Sequence, residues 1–117
     1  MIKLVMPLSR RPGMSVEAFR EYYESIHRKI GEKYLAGYAT KYTRRYTQPM
    51  PTRPGQITTP DVDVFLEIWY PDQETFEACS AHLAQPEIRA EILADEARLF
   101  DTRRMHAYLV EEHTSDL

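Results

Sequence analysis

The sequence predicts one small α+β domain, in which a four-stranded antiparallel sheet carries its helices on one face. Two observations support this fold class. The length of 117 residues fits a single domain, which we place at residues 1–117. Apolar residues repeat with the period of a strand or of a helix in the order βαββαβ along the chain.

The first half of the chain contains a strand, a helix and a second strand. Residues 2–8 form a short apolar run that ends in a polar turn, and Ser15 is a plausible N-cap for the helix that follows. Gly31 weakens this helix and Gly37 ends it. Residues 38–47 alternate and are rich in tyrosine and threonine, which favours a second strand. Spacings of three and four give the helix one apolar stripe: Val16, Phe19, Tyr23, Ile26 and Ile30.

The second half repeats this order after a loop. Residues 48–60 contain too many prolines for a regular element, so they form either a lid or a simple crossing. Residues 62–70 carry large apolar groups on both faces, which predicts a central strand. Asp72 caps the next helix, Pro86 begins another, and residues 103–111 alternate as the last strand.

The predicted order describes a ferredoxin-like subunit with one sheet face uncovered. The chain has no residues left to cover that face. A second copy of the chain is the economical cover, so we expect a homodimer through the sheet face, that is, a dimeric α/β barrel.

Composition argues against several classes of partner. The net charge of −3, from 15 basic and 18 acidic residues, gives no general attraction to nucleic acid or to acidic membranes. The single cysteine, Cys79, excludes an internal disulfide and a CxxC metal motif. No stretch approaches the roughly 20 apolar residues of a membrane span, and the N-terminus is not a signal peptide. We expect a cytoplasmic protein.

His27 is the first candidate for chemistry. It flanks the apolar stripe of the first helix, so its ring should face the space between helix and sheet. Imidazole titrates near pH ~6.5 and therefore serves as an acid or a base at neutral pH. The alternative is a structural histidine that hydrogen-bonds Tyr42 or a backbone carbonyl.

Asp95 lies on the apolar stripe of the last helix, where a carboxylate needs a partner. The preferred expectation is a structural ion pair with an arginine, such as Arg44 or Arg104, or a hydrogen bond to a helix end. If Asp95 contacts His27 instead, it would orient the imidazole ring.

The sequence contains no motif for a metal, a phosphate or a serine nucleophile. None of the usual spacings of metal ligands occurs among the candidate residues His27, Glu67, His82 and Asp95. No glycine-rich phosphate loop and no GxSxG motif occurs either. We therefore expect neither a metal nor a cofactor. His82 has the plainer interpretation of a partly exposed histidine near a helix C-terminus.

Aromatic residues concentrate in the first helix and the second strand. They predict either a pocket for a flat hydrophobic or aromatic ligand or a dimer interface. The candidate ligand-contacting residues are Tyr22, Tyr34, Tyr42, Trp69 and His82.

Three segments carry a family resemblance. FREYYESIH at residues 19–27, DVFLEIW at 63–69 and DEARLFD at 95–101 resemble the EthD family of dimeric α/β barrels, and the similarity extends over nearly the whole chain. The resemblance implies a cleft between sheet and helices, a dimer through the sheets, and matches for His27 and Asp95. Tyr22 or Tyr23 would match the tyrosine of related polyketide cyclases. A further cyclase histidine is replaced here by Gln85, which argues against cyclase chemistry.

Three functions follow as hypotheses. The first is a cofactor-independent enzyme that dehydrates, cyclises, isomerises or decarboxylates a small aromatic, lactone or polyketide-like carbonyl compound. His27 would be its general acid or base, and Tyr23 and Asp95 would complete the catalytic set. The second is a cofactor-free monooxygenase of the same fold. The third is a non-catalytic protein that binds a small hydrophobic molecule.

Overall fold

A computed structural model describes all residues, 1–117, and its centre is one four-stranded antiparallel sheet. The strands are β1 (Ile2–Leu8), β2 (Lys41–Tyr46), β3 (Val64–Tyr70) and β4 (Tyr108–Leu109), arranged in the order β2-β3-β1-β4. The predicted α+β class and the central position of β3 are confirmed.

The helices follow the predicted order. The first helical region comprises α1 (Val16–Tyr22), a π-helical turn (Tyr23–His27) and α2 (Arg28–Leu35). The second comprises α3 (Gln73–Leu83) and α4 (Pro86–Leu99), and a 3₁₀ turn at Thr102–Arg104 follows. No helix is both long and apolar enough to span a membrane.

Both predicted N-caps are present. The Ser15 hydroxyl accepts a hydrogen bond from the Ala18 N–H at 3.0 Å, and the Asp72 carboxylate accepts one from the Thr75 N–H at 2.8 Å. Each cap satisfies a backbone donor that the first helical turn leaves free, so these two residues set where α1 and α3 begin.

The strand boundaries differ most from the sequence prediction at two places, while β3 begins at Val64 rather than at residue 62. Residues 103–111 do not form one strand, because the Asp101 carboxylate accepts from the Arg103 N–H and starts the 3₁₀ turn, leaving only two residues to pair as β4. β2 begins at Lys41 rather than at residue 38, because the Tyr38 and Ala39 N–H groups donate to the Leu35 carbonyl and close the helix.

The two faces of the sheet have different surroundings. The helices cover the inner face, where Leu66 and Ile68 are buried with Phe19, Tyr23 and Leu99 in the core. No helix covers the outer face. The proline-rich loop of residues 48–60 contains no helix or strand, as predicted.

Candidate functional site

The π-helical turn places His27 in the core-facing stripe of the first helical region. A regular α-helix would turn Ile26 inward, as the spacing predicted, but the wider π turn rotates the register by one position. As a result His27 is only 8% exposed and Ile26 is 45% exposed. Single π turns inside α-helices occur frequently at functional sites, so this departure points to His27.

A cavity of about 170 Å³ lies between the sheet and the helices, next to His27. Its floor is the apolar inner face of the sheet, formed by Leu4, Met6, Leu66 and Ile68. Most of its other walls are also apolar, and no lysine or arginine lines it. A few polar side chains reach it: Tyr23, His27, Tyr34, Tyr42, Tyr70 and Glu96.

Asp95 holds the His27 ring from behind. His27 Nδ1 lies 2.7 Å from Asp95 Oδ2, and since a carboxylate only accepts, Nδ1 is the protonated nitrogen and donates. His27 Nε2 has no partner within the chain, and no fully buried side-chain nitrogen or oxygen lacks one. Nε2 is therefore not fully buried, and the ring that carries it lines the cavity.

Asp95 is itself fixed by more than His27. The Tyr22 hydroxyl donates to Asp95 Oδ1 at 2.5 Å, and the Arg98 guanidinium lies 3.5 Å from the same oxygen. The arginine beside Asp95 is thus Arg98, and neither Arg44 nor Arg104, the two arginines suggested for this role, contacts it. Arg44 instead binds Glu24 through two nitrogens, at 2.7 and 3.0 Å, because its strand faces that part of the first helical region.

Burial sets the charge state of His27. Desolvation in the cavity wall lowers the pKa of His27 below its usual value of 6.5, although the Asp95 carboxylate opposes this shift. The imidazole is therefore neutral at neutral pH, with a proton on Nδ1 and a free lone pair on Nε2. A neutral, oriented imidazole can accept a proton from a ligand in the cavity.

Two tyrosines form a polar part of the cavity wall beside His27, whose ring centroid lies 5.1 Å from that of Tyr23. The hydroxyls of Tyr23 and Tyr42 lie 3.3 Å apart and share a hydrogen bond. Burial raises the pKa of both phenols, so they remain protonated. A Cβ at Gly31 would lie 2.6 Å from the Tyr42 hydroxyl oxygen, which shows how closely the ring packs against the helix.

The other predicted ligand-contacting residues separate into two groups. Tyr34 lines the cavity while its hydroxyl donates to Glu91. Tyr22 contacts Asp95 rather than the cavity, and His82 stacks on Tyr38 at 4.9 Å between ring centroids.

Trp69 does not line the cavity, and its predicted place there is corrected. It lies on the outer face of the sheet, where Lys3 Nζ and Lys41 Nζ are 3.9 and 4.2 Å from the centre of its rings. The alternation of β3 explains this position, because Ile68 and Tyr70 point inward and the residue between them points outward.

Sequence reasoning missed Glu96 as a site residue. Its side chain lines the cavity one helical turn after Ile92, which also lines it. The (i, i+4) spacing from Ile92 was the available signal. No group of three or more His, Cys, Asp or Glu residues is placed to hold a metal ion.

Comparison with known proteins identifies the family. The sequence model of the EthD domain family matches residues 11–103 of this chain. The chain belongs to the EthD family. The resemblance of the three sequence segments to this family is thereby confirmed, and no curated protein matches the chain.

Solved structures share the EthD fold at low sequence identity. An EthD family protein from Bacillus halodurans aligns with a TM-score of 0.66 and 18% identity, covering 97% of this chain and 100% of that one. An EthD-like protein from Ralstonia eutropha gives 0.63 and 19%, covering 93% and 86%. An antibiotic biosynthesis monooxygenase gives 0.55 and 15%, covering 97% and 100%. At these identities the neighbours establish the fold and leave the reaction open.

Proposed function

We propose that this EthD protein is a cofactor-independent enzyme that moves protons on a small cyclic carbonyl compound, with His27 as the general base. One observation carries the proposal: the His27 ring lines an apolar cavity with Nε2 unpaired, while Asp95 holds Nδ1 at 2.7 Å. A base that is oriented by a carboxylate and opens onto a ligand cavity is the arrangement that proton abstraction requires.

The chemistry needs no redox step. His27 Nε2 removes the proton from a carbon next to the carbonyl, and the electron pair of that C–H bond moves into an enolate. Tyr42, whose hydroxyl is held by Tyr23, donates a hydrogen bond to the enolate oxygen. Asp95 stabilises the imidazolium that forms.

The size of the cavity selects small ligands. Its volume of about 170 Å³ is close to that of an apolar cavity of about 150 Å³ that binds benzene. The site therefore suits a one-ring aromatic, alicyclic or lactone compound better than a fused polyketide. Lining tyrosines supply hydroxyl groups at its edge.

We also propose that two copies associate through the outer face of the sheet. Phe65, Tyr108 and Val110 are all more than two-fifths exposed on or beside the strands of that face. An exposed apolar patch of this kind typically marks a protein contact. Homodimerisation would cover it without blocking the cavity, which lies on the other side of the sheet.

Deuterium uptake tests the role of His27. The protein is incubated in D₂O with 3-cyclohexen-1-one, an uncharged one-ring ketone, and exchange of the protons next to the carbonyl is followed by NMR. We expect His27→Gln to slow this exchange by about 10²–10⁴-fold, the usual contribution of one general base. His106→Gln, at an exposed histidine, is the matched control.

The pH profile adds an independent readout. Since only neutral His27 accepts a proton, exchange rises with pH through a pKa below 6.5 and is flat above it. Exchange that is equal in wild type and His27→Gln contradicts the proposal. Oxygen uptake with a phenolic ligand would support the monooxygenase alternative, and tight binding without exchange would support the binding-protein alternative.

A further inference from the structure

The two adjacent carboxylates on α4, Asp95 and Glu96, point into different surroundings. Successive residues of an α-helix point about 100° apart, so Asp95 and Glu96 cannot face the same way. Asp95 turns to His27 and Tyr22, and Glu96 turns to the cavity beside Ile92. One helix thus brings a carboxylate behind the His27 ring and a second one to the wall of the cavity that His27 also lines.

Glu96 is unlike the paired glutamates around it. Glu24, Glu67 and Glu91 each accept hydrogen bonds from a cationic or hydroxyl group. The Glu96 carboxyl, by contrast, has no hydrogen-bond or ion-pair partner in the chain, although its side chain is partly buried and lines the apolar cavity.

The neighbours of Glu96 favour its neutral form. Desolvation raises the pKa of Glu96, and the Asp95 charge raises it further, while Arg89 on the same helix opposes both. Across the cavity the titratable groups are His27 and the tyrosines. A carboxyl without a partner in such surroundings can keep a proton and donate it.

We propose that Glu96 is the proton donor that works opposite His27, so that the cavity moves a hydrogen between two atoms of one uncharged cyclic ligand. This inference rests on the base role proposed for His27. In the allylic isomerisation of a β,γ-unsaturated ketone, His27 takes the proton from the carbon between carbonyl and double bond. The dienolate then takes the Glu96 proton at its far carbon, which gives the conjugated ketone. Proton transfer from the His27 imidazolium to the Glu96 carboxylate restores both groups, and no oxidant is needed.

The lining also defines the charge of the ligand. A carboxylate ligand would need a cation, and no lysine or arginine lines the cavity. The nearby Arg44 is already bound by Glu24 at 2.7 Å. An uncharged ketone or lactone avoids the cost of a buried, unpaired charge.

The test follows two signals from one ligand. In D₂O, 3-cyclohexen-1-one reports base action by deuterium uptake next to the carbonyl and acid action by conversion to 2-cyclohexen-1-one. We expect Glu96→Gln to slow conversion by about 10²-fold or more while deuterium uptake persists, because His27 is still present. Glu87→Gln, at an exposed glutamate on the same helix, should convert at the wild-type rate.

A titration tests Glu96 without turnover. With ¹³C-labelled glutamate carboxyls, the resonance that disappears in Glu96→Gln should titrate above the ordinary glutamate pKa, and 2-cyclohexen-1-one should shift it on binding. Equal conversion in wild type and Glu96→Gln, exchange without conversion in wild type, or an ordinary titration would each overturn the role of Glu96. Absence of exchange in wild type would instead overturn the base role of His27.

Discussion

The two faces of the sheet are built from alternate residues of the same strands, yet they have opposite characters. Leu4 pairs with Ile68 on the inner face, under the helices and beside the cavity. Lys3 pairs with Trp69 on the outer face, where aromatic rings stand among charged side chains. Strand alternation therefore places an apolar cavity on one face of the sheet and a mixed aromatic and charged surface on the other.

The largest expected effect is the loss of the proposed dimer. Phe65 is 42% exposed on the outer face, and a carboxylate in its place would bury a charge between two copies, because the opposing Arg45 is already bound by Glu67. We expect Phe65→Glu to be a monomer and wild type a dimer in light scattering at the same concentration, with ligand binding in the cavity retained.

The matched control places the same charge elsewhere. Ala90→Glu adds a carboxylate at an exposed position of α4, away from the outer face, and should leave the mass unchanged. A wild-type monomer, or a Phe65→Glu protein that is still a dimer, would remove association from the outer face.

A substitution at Asp95 can weaken the hydrogen bonds that hold His27 without changing the shape of the site. Asp95→Asn keeps the size of the side chain but replaces a carboxylate that accepts from both His27 and Tyr22. The amide neither fixes the Nδ1–H tautomer as firmly nor stabilises the imidazolium. We expect proton exchange on 3-cyclohexen-1-one to fall by about 10- to 100-fold, as for other residues that orient a reacting group.

The pH profile distinguishes orientation from a general loss of structure. The Asp95 carboxylate raises the pKa of His27 against the larger effect of burial. Without that charge the pKa of His27 falls further, so the rise of the exchange rate moves to lower pH in Asp95→Asn. Arg98→Gln, which removes only the partner at 3.5 Å, should change both quantities less. A lower rate with an unmoved pH profile would contradict an orienting role.

The sequence predicts those features of the fold and the site that follow a regular periodic pattern, and not the others. The alternation of β3 and the helical spacing of the first region follow rules of fixed period, so the fold class was predictable. The same alternation excludes Trp69 from the cavity, and its assignment there ignored that rule. No periodic pattern in the sequence signals the π turn at Tyr23–His27. The burial of His27 in place of Ile26 was therefore visible only in the structure. The partner of Asp95 depended on packing between distant helices, which spacing along one helix does not reveal.

The smallest expected effect concerns Gly31, against which the Tyr42 ring packs. Glycine inside a helix costs about 1 kcal/mol relative to alanine, so its presence in α2 needs a reason. That reason is Tyr42, since a Cβ at Gly31 would lie 2.6 Å from its hydroxyl oxygen and 2.7 Å from the adjoining ring carbon. The missing side chain lets the Tyr42 ring lie against the helix and reach Tyr23.

We expect Gly31→Ala to displace Tyr42, because overpacking of about 1–3 kcal/mol offsets the gain in helix propensity. Thermal unfolding should show a net change of only a few degrees, while affinity for 2-cyclohexen-1-one falls more clearly as Tyr42 enters the cavity. In a double-mutant cycle, Gly31→Ala should become stabilising when Tyr42→Leu removes the ring, because only the propensity gain then remains. Additive effects of the two substitutions would show that Gly31 does not position Tyr42, and that the inner face tolerates the alanine by moving the helix instead.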